Sequence, residues 1–307
     1  MSSAPLPNVA HLQALARLVR FHCLKVAGAE QPAHLLSALA AADVMTGLLF
    51  GGSFRFDLNN PGRPDNDRLL VPEEAAFPLF HALWAVAGAI DESALETPHA
   101  TGCWLDQISG PHAGPSRAAS GWGGHHAVVG FGLGRLALSP LGGAGDPPRR
   151  TYVLLNGTAS ADNARWGLLQ QAARCRVPNL VGISNVSRVT HKHQKRPVGR
   201  DIEAYARRIA SCGWKTLLID GHGYPQILGA LRAAAATTDQ AVMIIARTLK
   251  SDGLAYLDGQ NNPRSLDAAD WKHALAAIDN IDHGLRGHIP PPETVARRPQ
   301  PPAHLVT

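Results

Sequence analysis

The residues able to do chemistry lie where the chain turns. Tyr152-Val153-Leu154-Leu155 is the clearest strand, and it runs into Asn156-Gly157-Thr158-Ala159. One helix later, Asn179-Leu180-Val181-Gly182-Ile183-Ser184 leads into Asn185-Val186-Ser187. These two turns offer amides, a glycine and hydroxyls but no carboxylate; the nearest is Asp162, which an alternative metal arrangement would have to recruit. Gly121, Gly123 and Gly124 stand just before a helical stretch, a placement that lets backbone amides approach a ligand or another backbone. After Ser187 comes a basic run of Arg188, His191, Lys192, His193, Lys195 and Arg196. It reads first as a solvated loop and second as a metal-free anion site, because Arg and Lys pair with phosphate directly.

Other chemistries fit less well. His191 and His193 alternate as ligands on a strand would, and His125 adjoins His126, yet no carboxylate or cysteine cluster accompanies either pair. No G-x-S-x-G elbow occurs, which sets aside a serine hydrolase of that type. The four cysteines, Cys23, Cys103, Cys175 and Cys212, lack CxxC spacing and read as reduced thiols. Trp122, Trp166 and Trp214 read as packing groups, and His222 after Asp220-Gly221 as part of a structural turn.

These turns need a frame to hold them. A chain of 307 residues, 45% hydrophobic, buries a large core. No apolar run approaches the roughly 18 residues needed to span a bilayer, and the start lacks a secretory pattern, so a soluble cytoplasmic protein is expected. The net charge of +5 suits an anionic, phosphate-bearing small molecule. Arg and Lys are spread without aromatic interleaving, against nucleic acid.

Periodicity predicts helices over 11–27, 32–50, 77–89, 128–138, 164–175, 202–212 and 225–235, and strands over 68–71, 151–155, 180–184, 216–219 and 242–247. Strand and helix alternate, so the expected fold class is α/β: a mostly parallel sheet with helices on both faces. Ligands of such sheets sit at the carboxyl ends of the strands, where Asn156 to Thr158 and Asn185 to Ser187 fall. Residues 1–288 are expected to form one domain, and 289–307, rich in Pro, a linker or disordered end.

From Ala14 to Gly259 the chain resembles the transketolase family, amino-terminal diphosphate-binding domain. The resemblance rests on His34 ahead of Ala41-Ala42-Asp43-Val44-Met45, on Pro64-Asp65-Asn66-Asp67-Arg68 and on Ser120-Gly121-Trp122-Gly123-Gly124-His125. It continues through Tyr152 to Leu155, Pro178-Asn179-Leu180-Val181, Cys212-Gly213-Trp214, Asp220-Gly221-His222 and Ala246-Arg247-Thr248-Leu249-Lys250, in family order. It implies the thiamine-diphosphate-binding fold, with thiamine diphosphate and Mg²⁺ as cofactors. It places site imidazoles at His34 and, more loosely, His112, where a plain loop residue is the competing reading. Cofactor-facing positions fall on Gly121, Gly123, Asn156, Gly157, Thr158, Asn185, Ser187 and Lys250.

At those positions the sequence departs from the family. The metal-binding Gly-Asp-Gly reads Asn156-Gly157-Thr158 and the metal-binding Asn reads Ser187, removing the anionic ligand and shortening the second. A family Gly-His falls on Glu74-Ala75, and the stretch after Thr248 keeps Lys250 and Gly253 but lacks the usual second glycine. The family's pyrimidine-binding domain, with the Glu that activates the cofactor, is expected to lie on a separate polypeptide. The expectation is therefore a transketolase-like amino-terminal subunit, inactive alone, a non-catalytic or assembly subunit that is homo-oligomeric or paired with a separately encoded pyrimidine-domain partner. The alternative is one subunit of a thiamine-diphosphate enzyme of ketol transfer that binds its cofactor in an unusual way.

Overall fold

Alternation along the strands decides the architecture. In β2 (Thr151–Asn156), β3 (Leu180–Arg188) and β5 (Val242–Leu249), Tyr152, Leu154, Val181, Ile183, Val242, Ile244 and Ala246 enter one core. Val153, Leu155, Leu180, Met243 and Ile245 enter a second. Successive strand residues point to opposite faces, so two cores mean a sheet covered on both sides. The computed structural model describes residues 8–27, 32–63, 65–71, 77–96, 149–156, 163–175, 177–188, 202–249, 268–278 and 280–293.

Within these residues β1 (Arg68–Leu70), β2, β3, β5 and β4 (Lys215–Asp220) lie side by side in that order, every pair parallel. The first core is closed by α1 (Val9–Ala27), α2 (Pro32–Phe50), α3 (Phe77–Val86), α6 (Tyr224–Ala236) and α7 (Ala268–Ile278). The second is closed by α4 (Asn163–Arg174) and α5 (Ile202–Ser211). Close approach fixes the first layer: a Cβ on Gly47 would sit 2.6 Å from Ile227 Cγ2, so α2 rests on α6 only because residue 47 has no side chain. Trp166 and Trp214 pack as expected, Trp166 against the Tyr205 ring and Trp214 donating its indole N–H to the Leu169 carbonyl at 2.8 Å. The expected helix over 128–138 lies outside the described residues, and α7 was not foreseen. Among the described residues no helix is long and apolar enough to cross a membrane.

The Asn66-Asp67 pair turns out to be structural. Asp67 accepts the Arg150 amide on Oδ1 at 2.6 Å and the Arg55 amide on Oδ2 at 3.0 Å, tying the start of β1 to the start of β2. Asn66 accepts the Asp57 amide at 2.8 Å and donates to the carbonyls of Asn60 and Pro61, which shapes the predicted loop. Burial pushes the Asp67 carboxyl up to about 6 against the opposing pull of those two amides. The expected tail begins docked: Ile289 is buried, Pro290 accepts the Phe56 amide at 2.9 Å and Pro292 accepts from Arg63 at 3.3 Å.

His22 of α1 is wholly buried with no hydrogen-bond partner on either ring nitrogen. Burial lowers its pKa to about 4, with Glu92 opposing and Lys25, His283 and Arg286 reinforcing. A histidine whose folded pKa lies below its unfolded value stabilises the neutral state, so this contribution is lost as pH falls from 6.5 toward 4. Relative to a His22→Leu variant, the wild type should lose up to about 1.4 kcal/mol per pH unit across that window in urea unfolding. Taking the difference cancels the contribution of Asp67, which acts with the opposite sign. Parallel pH profiles for the two proteins would show that His22 does not titrate as its burial demands.

Candidate functional site

The carboxyl ends of β2, β3 and β5 meet at one rim. In register, Asn156 pairs with Asn185, Asn185 with Ala246, and Ser187 with Thr248. The sheet thus brings Asn156, Asn185 and Ser187 together, as the sequence reading required. One feature differs: β3 was expected to end at Ser184 but continues to Arg188. The reason is its neighbour, since β5 runs on to Leu249 and pairs residues 185–188 one for one with 246–249.

Asn185 and Thr248 are both buried, and the Thr248 hydroxyl donates to Asn185 Oδ1 at 2.6 Å. One oxygen lone pair of the carboxamide is therefore used within the sheet. On the opposite face the Ser184 and Tyr205 hydroxyls lie 3.2 Å apart. Gly221, at the turn after β4, presses on the same strand end: a Cβ there would clash with Thr248 Cγ2 and lie 2.9 Å from the Arg247 carbonyl oxygen. This close approach explains the glycine, whose φ is not positive.

Beside the rim stands a buried polar network that sequence reasoning missed. Arg20 of α1 grips Asp43 of α2 with both terminal nitrogens, Nη2 to Oδ2 at 2.6 Å and Nη1 to Oδ1 at 3.3 Å. The fork geometry is that of a strong charge-assisted pair. The Tyr224 hydroxyl lies 3.2 Å from Asp43 Oδ1 and 3.0 Å from the Leu12 carbonyl, so its one proton serves two acceptors. His222 Nδ1 lies 2.8 Å from Asp43 Oδ2, while His222 Nε2 accepts the Leu249 backbone N–H at 2.9 Å. Burial alone would raise the Asp43 pKa; the hydrogen bond from His222 and the charge of Arg20 outweigh it and bring the carboxyl down to about 2. A depressed carboxylate pKa stabilises the fold at pH above the unfolded value and ceases to do so as pH falls through the folded one. The signal in the sequence was an Arg flanked by Leu18, Val19 and Phe21 in α1 and a single Asp in the apolar α2, since such charges are seldom buried without a partner.

Of the other site residues read from the sequence, His34 lies in the first turn of α2. His112, Gly121, Gly123, Gly157, Thr158 and Lys250 lie outside the described residues, as do Asp162, Ala75 and most of the basic run. Cys23 is buried, Cys175 exposed and Cys212 half-buried, all free thiols.

No family model matches the chain. Transketolase-like protein 2 of Bos taurus is 28% identical over 277 residues, 90% of this chain and 42% of that protein. Transketolase of Homo sapiens is 27% identical over 267 residues, 85% of this chain and 41% of that one. Its homologues are transketolases and transketolase-like proteins. The match falls in their amino-terminal half. A transketolase structure from Campylobacter jejuni superposes with a TM-score of 0.63 at 20% identity over 92% of this chain and 45% of that one, which establishes the thiamine-diphosphate-binding fold. The chain thus spans less than half the length of the transketolases it matches.

The transketolase relationship implies thiamine diphosphate and a divalent metal, and the donors can be tested against that pair. A hard cation in such a site wants oxygen ligands, with at least one anionic group from the protein. At the described ends of β2 and β3 the residue types are Asn156, Asn185 and Ser187, neutral throughout, and Asn185 already holds Thr248. Among the described residues no group of three or more His, Cys, Asp or Glu is placed to hold a metal. These donors do not fit a metal-bridged diphosphate of the transketolase kind.

Asp43 is the carboxylate that grips the buried Arg20 with both oxygens. The Asp43→Ala variant should lose about 3–5 kcal/mol of unfolding free energy, the usual cost of removing one partner of a buried ion pair. Adding Arg20→Met to that variant should restore part of the loss. A second, additive loss in the double-mutant cycle would show that the two groups are not coupled.

Proposed function

We propose that this chain is a transketolase-like amino-terminal subunit that does not bind thiamine diphosphate through a metal by itself, and that it serves a cytoplasmic assembly as a non-catalytic or assembly subunit. The supporting observation is the donor set of the rim. Asn156 and Ser187 offer no charge, residue 157 is a glycine, and the Asn185 carboxamide oxygen is engaged by Thr248. Loss of ligands in direct contact with a metal should weaken binding more than the 10 to 100-fold typical of outer groups. Residues 1–288 form the domain in this reading and 289–307 its tail. The partner is a second copy, a separately encoded pyrimidine-type domain, or both.

The competing reading, a ketol-transferring subunit with unusual cofactor binding, draws on what the chain retains. Lys250 follows β5 directly, and the basic run beyond Ser187 would face a phosphate without metal. Cofactor chemistry would then belong to the thiazolium ring, and the protein would bind and orient it.

Calorimetric titration with thiamine diphosphate and Mg²⁺, on the isolated chain and with any co-purifying protein, separates the two. The isolated chain should show no metal-dependent binding; micromolar metal-dependent affinity would sink the non-catalytic reading. A Gly157→Asp, Thr158→Gly, Ser187→Asn variant should gain metal-dependent affinity of at least tenfold, because it restores the anionic ligand and the longer amide. No gain would mean that the pocket itself has changed shape.

A further inference from the structure

Among the polar groups near the rim, His222 has the most constrained position. It sits in the turn between β4 and α6, with Asp220 accepting its backbone amide on Oδ1 at 3.0 Å. Its Nε2 receives the Leu249 N–H at 2.9 Å. A backbone amide can only donate, so Nε2 carries the lone pair, and in the neutral ring the proton is on Nδ1. That proton faces Asp43 Oδ2 at 2.8 Å. The ring is thus read on both sides, by a carboxylate that wants a donor and an amide that wants an acceptor.

We propose that His222 is a positioning residue: it transmits the fixed geometry of the buried Arg20–Asp43 pair to the backbone at Leu249, and so fixes the last residue of β5. The argument rests on connectivity. Leu249 is the last residue of β5, and its N–H points away from any strand partner toward the ring. Arg20 and Asp43 belong to α1 and α2, the layer covering the first core, and Tyr224 of α6 braces the same carboxylate. Through the ring, hydrogen bonds tie the covering helices to this strand end. Gly221 acts in the same sense, since only a residue without a side chain lets the turn lie against Thr248 and keep the imidazole within reach.

The assignment also says what His222 does not do. Both ring nitrogens are committed, so it is neither a replacement metal ligand nor an acid–base group in this state. The assignment does not rest on the proposed function, and its failure would leave that reading standing.

Nitrogen NMR of the intact wild-type chain at neutral pH should find His222 as the Nδ1–H tautomer; the Nε2–H tautomer would overturn the proposal without any variant. Hydrogen exchange then tests the coupling. In His222→Ala, the Leu249 amide should exchange at least tenfold faster while the Ile244 amide, in the middle of β5, stays unchanged. Equal acceleration at both would mean general loosening, and no change at Leu249 would mean no tie; either result overturns the positioning role. His222→Gln, whose side-chain oxygen reaches the Nε2 position, should restore part of the Leu249 protection. His222→Asn, which reaches only toward Asp43, should not, and equal behaviour of the two variants would count against the relay.

Discussion

Each of the three long central strands, β2, β3 and β5, is buried between two layers of helices, and that double burial governs everything else in the molecule. Among the described residues the faces of the sheet are packed with apolar side chains: Tyr152, Leu154, Ile183 and Ile244 on one side, Leu155, Met243 and Ile245 on the other. Chemistry is left to the carboxyl edge, where backbone groups emerge from the ladder. Position at that edge depends in turn on how the helical layer is anchored to it. Apolar contacts fix distance well but direction poorly, whereas the Arg20, Asp43 and His222 hydrogen bonds specify both. Asp43 thus joins α1, α2, α6 and the turn after β4 around one buried carboxylate.

Several motifs that carry the likeness to transketolases serve structure in this chain. Asn66 and Asp67 close a loop and start two strands. Asn185 braces β3 against β5 through Thr248. His222 and Gly221 hold the end of β5. A buried polar group deprived of its partner costs stability, so the fold itself requires these residues.

Much of this was legible in the sequence, for physical reasons that can be named. Pro32 to Phe50 reads as a buried helix because its apolar residues continue around every face, and its bounds agree with the structure. Val242 to Arg247 reads as a strand because an unbroken aliphatic run between polar turns suits a sheet buried on both sides. The last four residues of β3 were not legible: Asn185, Val186, Ser187 and Arg188 look like a turn, and only pairing with β5 makes them strand. The network at Asp43 was not legible either. The sequence marks Arg20 and Asp43 as charges in apolar company, but which helix faces which is decided by packing, and His222 lies far along the chain from both.

The separation between core and rim lets the fold stand on one set of residues and ligand binding on another. Among the described residues, the two hydrophobic cores are built from apolar side chains below the ends of the strands. A carboxylate at a diphosphate site repels the ligand unless a cation offsets the charge, and position 157 is a glycine. The Arg20–Asp43 pair and His222 tie the covering helices to the end of β5 through hydrogen bonds. Geometry and ligation are thus supplied by different residues.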